Sequence, residues 1–270
     1  MLLQGYHTVI TGAARGLGAA TARRFAAEGA RVVISDIDID AAIACAKAID
    51  ASGERVTALA CDIADPEACA RLVAHAESFF GGPIDVFLAH AGMGFAGSLT
   101  EADAAHIRRV VEVNVLGTIY SAQAALRSLV RSPRASLLFT SSLQGVTARA
   151  GRSIYTTSKH AIVGLTKSLA LEYGPKGVRV NAIAPASTDT PFLRTQLEVA
   201  GAKDVDQAVR DVAASMPLGW LPTPEDFADA AVFLASTAAR SITGHNLLLD
   251  SGAAAGIFRR SEVPKVKTRP

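Results

Sequence analysis

The sequence lacks the marks of secreted, membrane-spanning and metal-binding proteins. Its three cysteines, Cys45, Cys61 and Cys69, are odd in number and lack metal-site spacing, so we expect free thiols and a cytoplasmic location. A strand-like run begins at His7 and leaves no room for a secretory signal, and no apolar stretch is long enough to cross a membrane. The 6 histidines form no His-x-x-x-His pair or Cys/His cluster. We therefore expect no metal and no membrane partner.

An excess of charge of one sign is also missing. The formal net charge is +2, and arginines and lysines are scattered rather than gathered in a stripe, which argues against a nucleic-acid partner. The one basic concentration is the C-terminal tail, residues 257–270, which we interpret as a solvated end. Repeats, low-complexity segments and Pro/Gly/Ser-rich linkers are absent, and half of the residues are hydrophobic. The pattern predicts one domain over residues 1–256.

What the sequence does contain is an alternation of short β-branched runs with longer alanine-rich segments of helical period. This alternation is typical of an α/β fold, a Rossmann-like doubly wound parallel sheet of seven strands with helices on both faces. The predicted strands are Tyr6–Thr11, Arg31–Ser35, Arg55–Ala60, Ile84–Ala89, Ala135–Thr140, Arg179–Ile183 and Asn246–Leu249. The predicted helices are Gly16–Glu28, Ile39–Ala51, Pro66–Phe80, Glu101–Leu129, Ser153–Tyr173 and Pro224–Ala235.

Residues 186–221 interrupt this rhythm with polar residues, two short helical patterns and Pro217. A long insertion after a late strand is a candidate substrate lid, because ligands of such sheets bind beyond the carboxyl ends of the strands.

The first predicted strand runs directly into a glycine-rich turn that opens a helix. Gly12, Gly16 and Gly18 have no Cβ, so the backbone can turn tightly and approach a pyrophosphate at the positive helix N-terminus. Glycine spacing alone is a weak signal, since any tight turn favours glycine. The order of strand, turn and helix nevertheless favours a dinucleotide site.

The end of the second strand indicates which dinucleotide is bound. Asp36 can accept hydrogen bonds from both adenosine ribose hydroxyls and would repel a 2′-phosphate. Ile37 follows it, so no arginine stands there to receive that phosphate, although Arg15 in the turn leaves NADP open. We expect NAD, with NADP the less favoured alternative.

Tyr155 and Lys159 are four residues apart in a predicted helix and therefore share one face. The ammonium could stabilise the phenolate and lower the pKa of Tyr155 from its usual value of about 10, giving a proton donor and acceptor for neutral pH. Taken alone, the pair could equally be a helix-surface contact.

In this order the residues resemble the short-chain dehydrogenase/reductase family over nearly the whole chain, from Gly12 to the Asp250-Ser251-Gly252 segment. The resemblance implies that Asp62, with Ile63, contacts adenine and that Thr190 bonds the nicotinamide carboxamide. Two positions depart from the family pattern. His90 replaces the asparagine of the Asn-Ala-Gly segment, and Ala186 replaces a glycine, which would strain the backbone if φ there is positive.

The same resemblance implies a catalytic set of Asn114, Ser142, Tyr155 and Lys159. Tyr155 would exchange the proton of an alcohol, Ser142 rather than Ser141 would orient the reacting oxygen, and Asn114 would hold a water linking Lys159 to solvent. The residues expected to hold the cofactor are Gly12, Arg15, Gly16, Leu17, Gly18, Asp36, Ile37, Asp62, Ile63, His90, Ala91, Gly92, Asn114, Tyr155, Lys159, Pro185, Thr188 and Thr190.

The substrate predicted by these residues is a small secondary alcohol or ketone on a largely apolar frame. Candidate substrate contacts are Phe95, Gln144 and Phe192, together with Ser142 and Tyr155. Arg149, Arg152 and Arg194 could instead recognise a carboxylate, or be solvated.

Two other functions stay open, an NADP-dependent ketone reductase and an NAD(H)-binding sensor or scaffold without turnover. The resemblance also implies a homotetramer.

Overall fold

Seven short, largely apolar segments form one parallel sheet within the part of the chain that the computed structural model describes, residues 1–256 and 258. The predicted tail, residues 257–270, lies outside the described residues apart from Phe258. The strands are β1 His7–Thr11, β2 Arg31–Asp36, β3 Val56–Ala60, β4 Val86–Ala89, β5 Ser136–Thr140, β6 Arg179–Pro185 and β7 Asn246–Leu249. Their order across the sheet is β3-β2-β1-β4-β5-β6-β7, which confirms the predicted doubly wound fold.

Helices connect successive strands, because two parallel strands of one sheet can be joined only by a crossover. Several begin where a side chain caps the first turn, as Asp38, Asp65 and Thr223 do for the helices that follow them. The α-helices are α1 Gly16–Ala27, α2 Ile39–Ile49, α3 Pro66–Phe80, α4 Ala104–Val111, α5 Thr118–Leu129, α6 Ser153–Tyr173, α7 Pro191–Val199, α8 Val205–Ala214 and α9 Pro224–Ala235. Short 3₁₀ turns occupy Leu99–Glu101, Leu143–Gly145, Gly174–Lys176 and Thr237–Ala239.

The core has two layers because alternate strand residues face opposite sides of the sheet. On one side Val9, Phe87 and Leu137 pack against α3, α5 and α6. On the other side Ile10 and Leu88 pack against α1, α2 and α9. Complete burial of each such side chain contributes about 1.5–3 kcal/mol. None of the helices in residues 1–256 combines the length and apolar composition needed to cross a bilayer.

The single predicted helix Glu101–Leu129 is wrong. The chain turns in a 3₁₀ helix at Leu99–Glu101, and α4 starts after Asp103, whose carboxylate accepts a hydrogen bond from the His106 N–H. Between α4 and α5, residues Glu112–Gly117 form a π-helical segment. Such insertions are rare and often lie at functional sites, and this one carries Asn114.

The topology also places the crevice of the sheet. The chain reverses its direction of winding between β1 and β4, which are neighbours although two strands separate them in sequence. Ligands of doubly wound sheets bind at such a switch point, beyond the carboxyl ends of the strands. The segments after β1, β4, β5 and β6 therefore border one crevice.

Candidate active site

The turn between β1 and α1 contains glycines that no other residue could replace. Gly12 has a φ of 66°, and a Cβ added there would lie 2.7 Å from the Cα of Ala91. A Cβ on Gly18 would lie 2.5 Å from the Gly12 carbonyl oxygen. The turn is thus packed directly against the loop that follows β4, as the glycine pattern predicts for a nucleotide-binding turn.

The N-terminus of α1 has the character of an anion site. Arg15 is its N-cap residue, makes no side-chain cap, and no acidic residue occupies the first turn. The positive end of the helix dipole therefore faces the crevice without a competing carboxylate. Gly16 begins the helix, and Leu17 packs against the apolar layer beneath α1.

Asp36 at the end of β2 keeps free capacity for hydrogen bonds. One carboxylate oxygen accepts from the Ala14 N–H at 3.1 Å and the other from the Asp38 N–H at 3.1 Å, which leaves further lone pairs on both. Ile37 is 67% exposed. Arg15 forms an ion pair with Asp38 rather than pointing freely into the crevice.

In the segment after β3, the carboxylate of Asp62 already has hydrogen-bond donors within the chain. Asp62 accepts hydrogen bonds from the Ala64 N–H at 3.0 Å and from Arg109 at 2.8 Å. Desolvation raises the pKa of Asp62, but these two donors outweigh it and the pKa lies below its usual value. Ile63 packs against Gly117 of the π-helical segment, where a Cβ would lie 2.8 Å from the Ile63 side chain.

His90 connects two central strands across the crevice. Its backbone N–H and that of Ala91 donate to the Thr11 hydroxyl at 3.0 and 3.2 Å. Its ring Nδ1 lies 2.9 Å from the Thr140 hydroxyl at the end of β5. Desolvation, and secondarily the charge of Lys159, lowers the pKa of His90 to about 4, so the ring is neutral at physiological pH. Histidine here bridges β4 to β5 in place of an amide.

Asn114 is buried in the π-helical segment and orders the loop after β4. Its amide nitrogen donates to the Met93 carbonyl at 2.8 Å and to the Ser158 hydroxyl at 3.1 Å, while its amide oxygen accepts from the Met93 N–H at 2.8 Å. A Cβ on Gly92 would lie 3.2 Å from that amide oxygen. Both amide hydrogens are therefore used within the protein, and a water could bind Asn114 only through a remaining oxygen lone pair.

Ser142, Tyr155 and Lys159 meet at the carboxyl end of β5. The Ser142 hydroxyl accepts from the Gln144 N–H at 3.1 Å, and the Lys159 ammonium lies 5.6 Å from the centre of the Tyr155 ring. The Ser141 hydroxyl instead faces the Lys159 carbonyl at 3.5 Å. The hydroxyl that interacts with the Tyr155 phenol is that of Ser142, and not that of Ser141.

The pKa of Tyr155 in this structure reflects groups other than Lys159, so the lowering by the ammonium stays a prediction. Burial raises the pKa of Tyr155, opposed by the Ser142 hydroxyl and the charge of Arg152. Lys159 donates to the Thr140 carbonyl at 2.9 Å, which fixes the position of its ammonium. Burial lowers the pKa of Lys159 to about 8. The lysine itself can thus exchange a proton near neutral pH.

The segment after β6 carries the two threonines named above. Thr188 donates to the Ala186 carbonyl at 3.3 Å, and the Thr190 hydroxyl donates to the Thr188 carbonyl at 3.2 Å and caps α7. Both threonines are buried next to Pro185, the last residue of β6. The strain considered for Ala186 is not present, because Ser251 is the only non-glycine residue with positive φ in the described chain.

The predicted substrate contacts lie on two sides of the crevice mouth. Phe95 is buried, and its ring packs against His106 with 5.3 Å between centroids. Gln144 accepts from the Thr156 hydroxyl at 3.1 Å. Phe192, on the first helix of the 186–221 segment, is half exposed and lies so close to Gly94 that a Cβ there would be 3.0 Å from its ring.

Two threonines were not singled out by the sequence analysis. Thr11 and Thr140 are the last residues of β1 and β5, and their hydroxyls fix the His90 segment. Thr140 also supplies the carbonyl that binds Lys159. Their position at the carboxyl end of a predicted strand is the signal that would have found them.

Comparison with known proteins agrees with this geometry. A family model described as Enoyl-(Acyl carrier protein) reductase matches residues 12–254. The chain is 38% identical over 245 residues to cis-4-hydroxycyclohexanecarboxylate dehydrogenase of Sinomonas cyclohexanicum, with 90% of this chain and 94% of that protein covered. It is 34% identical over 255 residues to 2,5-dichloro-2,5-cyclohexadiene-1,4-diol dehydrogenase of Sphingobium indicum, with 94% and 98% covered.

Among solved structures, levodione reductase superposes with a TM-score of 0.89 and 28% identity. The match covers 94% of this chain and 99% of that one. The similarity therefore includes the crevice and the 186–221 segment as well as the sheet.

The neutral state of His90 should make stability depend on pH. The folded pKa lies below that of an unfolded histidine, so the unfolding free energy should fall as pH drops from about 6.5 towards about 4. Between pH 7 and pH 5 the free energy of unfolding should decrease by about 1–2 kcal/mol more in the native protein than in the variant His90→Asn, as measured by urea denaturation. His160→Asn, on the exposed face of α6, is the control. Equal losses in native protein and His90→Asn would show that the ring is not held neutral.

Proposed function

Because the chain belongs to the short-chain dehydrogenase/reductase family of oxidoreductases, we propose that it interconverts a secondary alcohol and a ketone with NAD(H). The observation that carries the proposal is the contact series from the glycine turn to the proton-exchanging residues. Gly12 meets Ala91, and a Cβ on the adjacent Gly92 would lie 3.7 Å from the Lys159 ammonium. One short loop thus separates an anion-binding helix end from Tyr155, Ser142 and Lys159.

The residues of this site fit a nicotinamide dinucleotide, which when bound supplies the hydride acceptor or donor. Tyr155 takes the proton of the substrate hydroxyl during oxidation and returns it to the carbonyl oxygen during reduction. The Ser142 hydroxyl bonds the reacting oxygen and favours the ionised phenol. Lys159, with its pKa near 8, passes the proton onward. Asn114 fixes the Met93 loop that borders the reacting groups.

NAD is the proposed cofactor because of the charges around Asp36. A 2′-phosphate would meet this carboxylate, and the only arginine in the adjoining turn, Arg15, is paired with Asp38. The residues proposed to hold NAD are those predicted from the sequence. They extend from the β1–α1 turn through Asp62, the His90 segment and Lys159 to Thr188 and Thr190.

For the substrate we propose a hydroxyl on a six-membered carbon ring, because two relatives are named for compounds of that kind. The apolar walls at Met93–Phe95 and Phe192 suit such a ring, and Gln144 can bond a second oxygen.

Residues 186–221 would act as the lid of the 1–256 domain, since α7 already touches the Gly94 loop. The three free thiols support a reducing, cytoplasmic location.

Replacing the phenol tests the catalytic role directly. Tyr155→Phe keeps the ring but removes the proton-exchanging oxygen, so kcat for oxidation of a ring alcohol should fall by a factor of about 10² to 10⁴. NADH affinity, measured by calorimetry, should change little. Tyr173→Phe, at the other end of the same helix, is the matched control. Near-native turnover by Tyr155→Phe would refute the assignment.

Cofactor choice should depend on the end of β2. The double variant Asp36→Ala, Ile37→Arg removes the repelling carboxylate and adds a phosphate-binding cation, so the ratio of kcat/KM with NADP to that with NAD should rise by about tenfold or more. Asp40→Ala removes a neighbouring carboxylate on α2 and serves as control. An unchanged ratio in the double variant would contradict the ribose assignment.

We further propose a homotetramer, supported by exposed apolar side chains on the helices that border Asn114 and Tyr155. Leu116 and Ile119 are each more than a third exposed, and Leu171 on α6 is 81% exposed. Light scattering should give four times the 28.0 kDa of one chain. Leu171→Asp should lower that mass, whereas Val199→Asp, 75% exposed on the lid, should leave it unchanged. A monomeric native mass would contradict the proposal.

A further inference from the structure

Two arginines without an acidic partner lie at the mouth of the crevice. Arg152 is the N-cap residue of α6, three positions before Tyr155, and Arg149 precedes it in the same turn. Within residues 1–256 no carboxylate forms an ion pair with either of them. The third arginine considered from the sequence, Arg194, differs because it is paired with both Asp189 and Asp206. Of these three arginines, only Arg149 and Arg152 therefore have a positive charge that is not neutralised by a carboxylate of the chain.

Arg152 is only partly satisfied by the protein. Its guanidinium has five N–H donors, and its one hydrogen bond goes to the Phe95 carbonyl at 3.1 Å. The side chain is partly buried, and desolvation together with the charge of Arg149 lowers its pKa. A partly desolvated cation beside a like charge is unfavourable unless an anion joins the pair. The chain supplies no such anion among its described residues.

The location of Arg152 connects this cation to the reacting groups. Its charge acts on the Tyr155 phenol, and its hydrogen bond is made to the loop that carries Phe95 and adjoins the lid helix α7. A substrate whose hydroxyl lies at Ser142 and Tyr155 would therefore extend its far end between the Phe95 loop and the start of α6. Arg149, exposed in the preceding turn, is close enough for its charge to lower the pKa of Arg152.

We propose that Arg152, assisted by Arg149, binds a carboxylate on the substrate, so that the enzyme selects hydroxy or oxo acids over neutral alcohols. This inference rests on the proposed function and adds the chemical class of the substrate. A planar guanidinium with free donors matches a carboxylate in geometry as well as in charge. Arg152 is a specificity residue here and does not itself exchange a proton; its charge also acts on the Tyr155 phenol, an effect that is the same for a charged and a neutral substrate and cancels in the ratio of the two.

The experiment compares an acid with its neutral counterpart. The probes are cis-4-hydroxycyclohexanecarboxylate and the corresponding carboxamide, which keeps the shape but has no charge. Native protein should have the higher kcat/KM for the acid. In Arg152→Gln the acid-to-amide ratio should fall by about tenfold to a hundredfold, the range expected for charge-assisted hydrogen bonds. Arg149→Gln should give a smaller fall because solvent screens an exposed charge.

Two further variants separate recognition from support of the loop. Arg152→Lys keeps the charge and should recover part of the acid preference, whereas a purely structural role would give no dependence on substrate charge. Arg240→Gln is the matched control. It removes an exposed arginine near the amino end of β6, away from the crevice at the carboxyl ends of the strands. Calorimetric binding of the same two probes, with NADH present, gives a readout that does not need turnover.

The outcomes distinguish the inference from the function on which it rests. Equal use and equal binding of acid and amide by native protein, or an unchanged ratio in Arg152→Gln, would overturn the carboxylate site and leave alcohol oxidation standing. Preferential binding of the acid, lost in Arg152→Gln, but without turnover of any ring alcohol would support the site and refute the proposed function.

Discussion

The arrangement of the candidate active site depends on one buried ammonium group at the carboxyl end of the sheet. Lys159 is fixed by the carbonyl of Thr140, the last residue of β5, and its burial lowers its pKa to about 8. The Thr140 hydroxyl at the same point meets the His90 ring, which remains neutral partly because the lysine is near. Gly92 lies beside the ammonium, where an added Cβ would be 3.7 Å from it. The end of β5 therefore determines how the proton-exchanging residues and the nucleotide turn approach each other.

The two sides of the crevice differ in how their charges are satisfied. On the side proposed to bind the nucleotide, Arg15, Asp62 and the Asn114 amide already have partners within the chain, so their positions are fixed without a ligand. On the substrate side, the guanidinium of Arg152 has most of its donors unused. If both proposals hold, a preformed cofactor site stands beside an incompletely satisfied substrate site, the arrangement expected when selectivity arises from the second ligand.

The fold could be predicted from the sequence because it depends on local patterns, and the same kind of pattern generated the candidate site residues, whose roles stay predictions. Strand and helix periods, the glycine turn and the Tyr155–Lys159 spacing are all properties of neighbouring residues. What could not be predicted depends on contacts distant in the chain. The spacing of Tyr155 and Lys159 does not reveal that the Thr140 carbonyl takes the ammonium. Nor does a helical period reveal that the segment holding Asn114 widens to a π-helix where its amide bonds Met93.

In the proposed reaction the carbinol carbon of a ring alcohol gives its hydride to NAD while Tyr155 takes the hydroxyl proton. The most direct test uses a ring alcohol deuterated at the carbinol carbon and follows the label by mass spectrometry and proton NMR of the recovered cofactor. We expect one deuterium at the reduced carbon of the nicotinamide for each ketone formed. Ketone formation with the deuterium released to water, or tight binding of NAD and alcohol with no ketone at all, would contradict the proposed reaction.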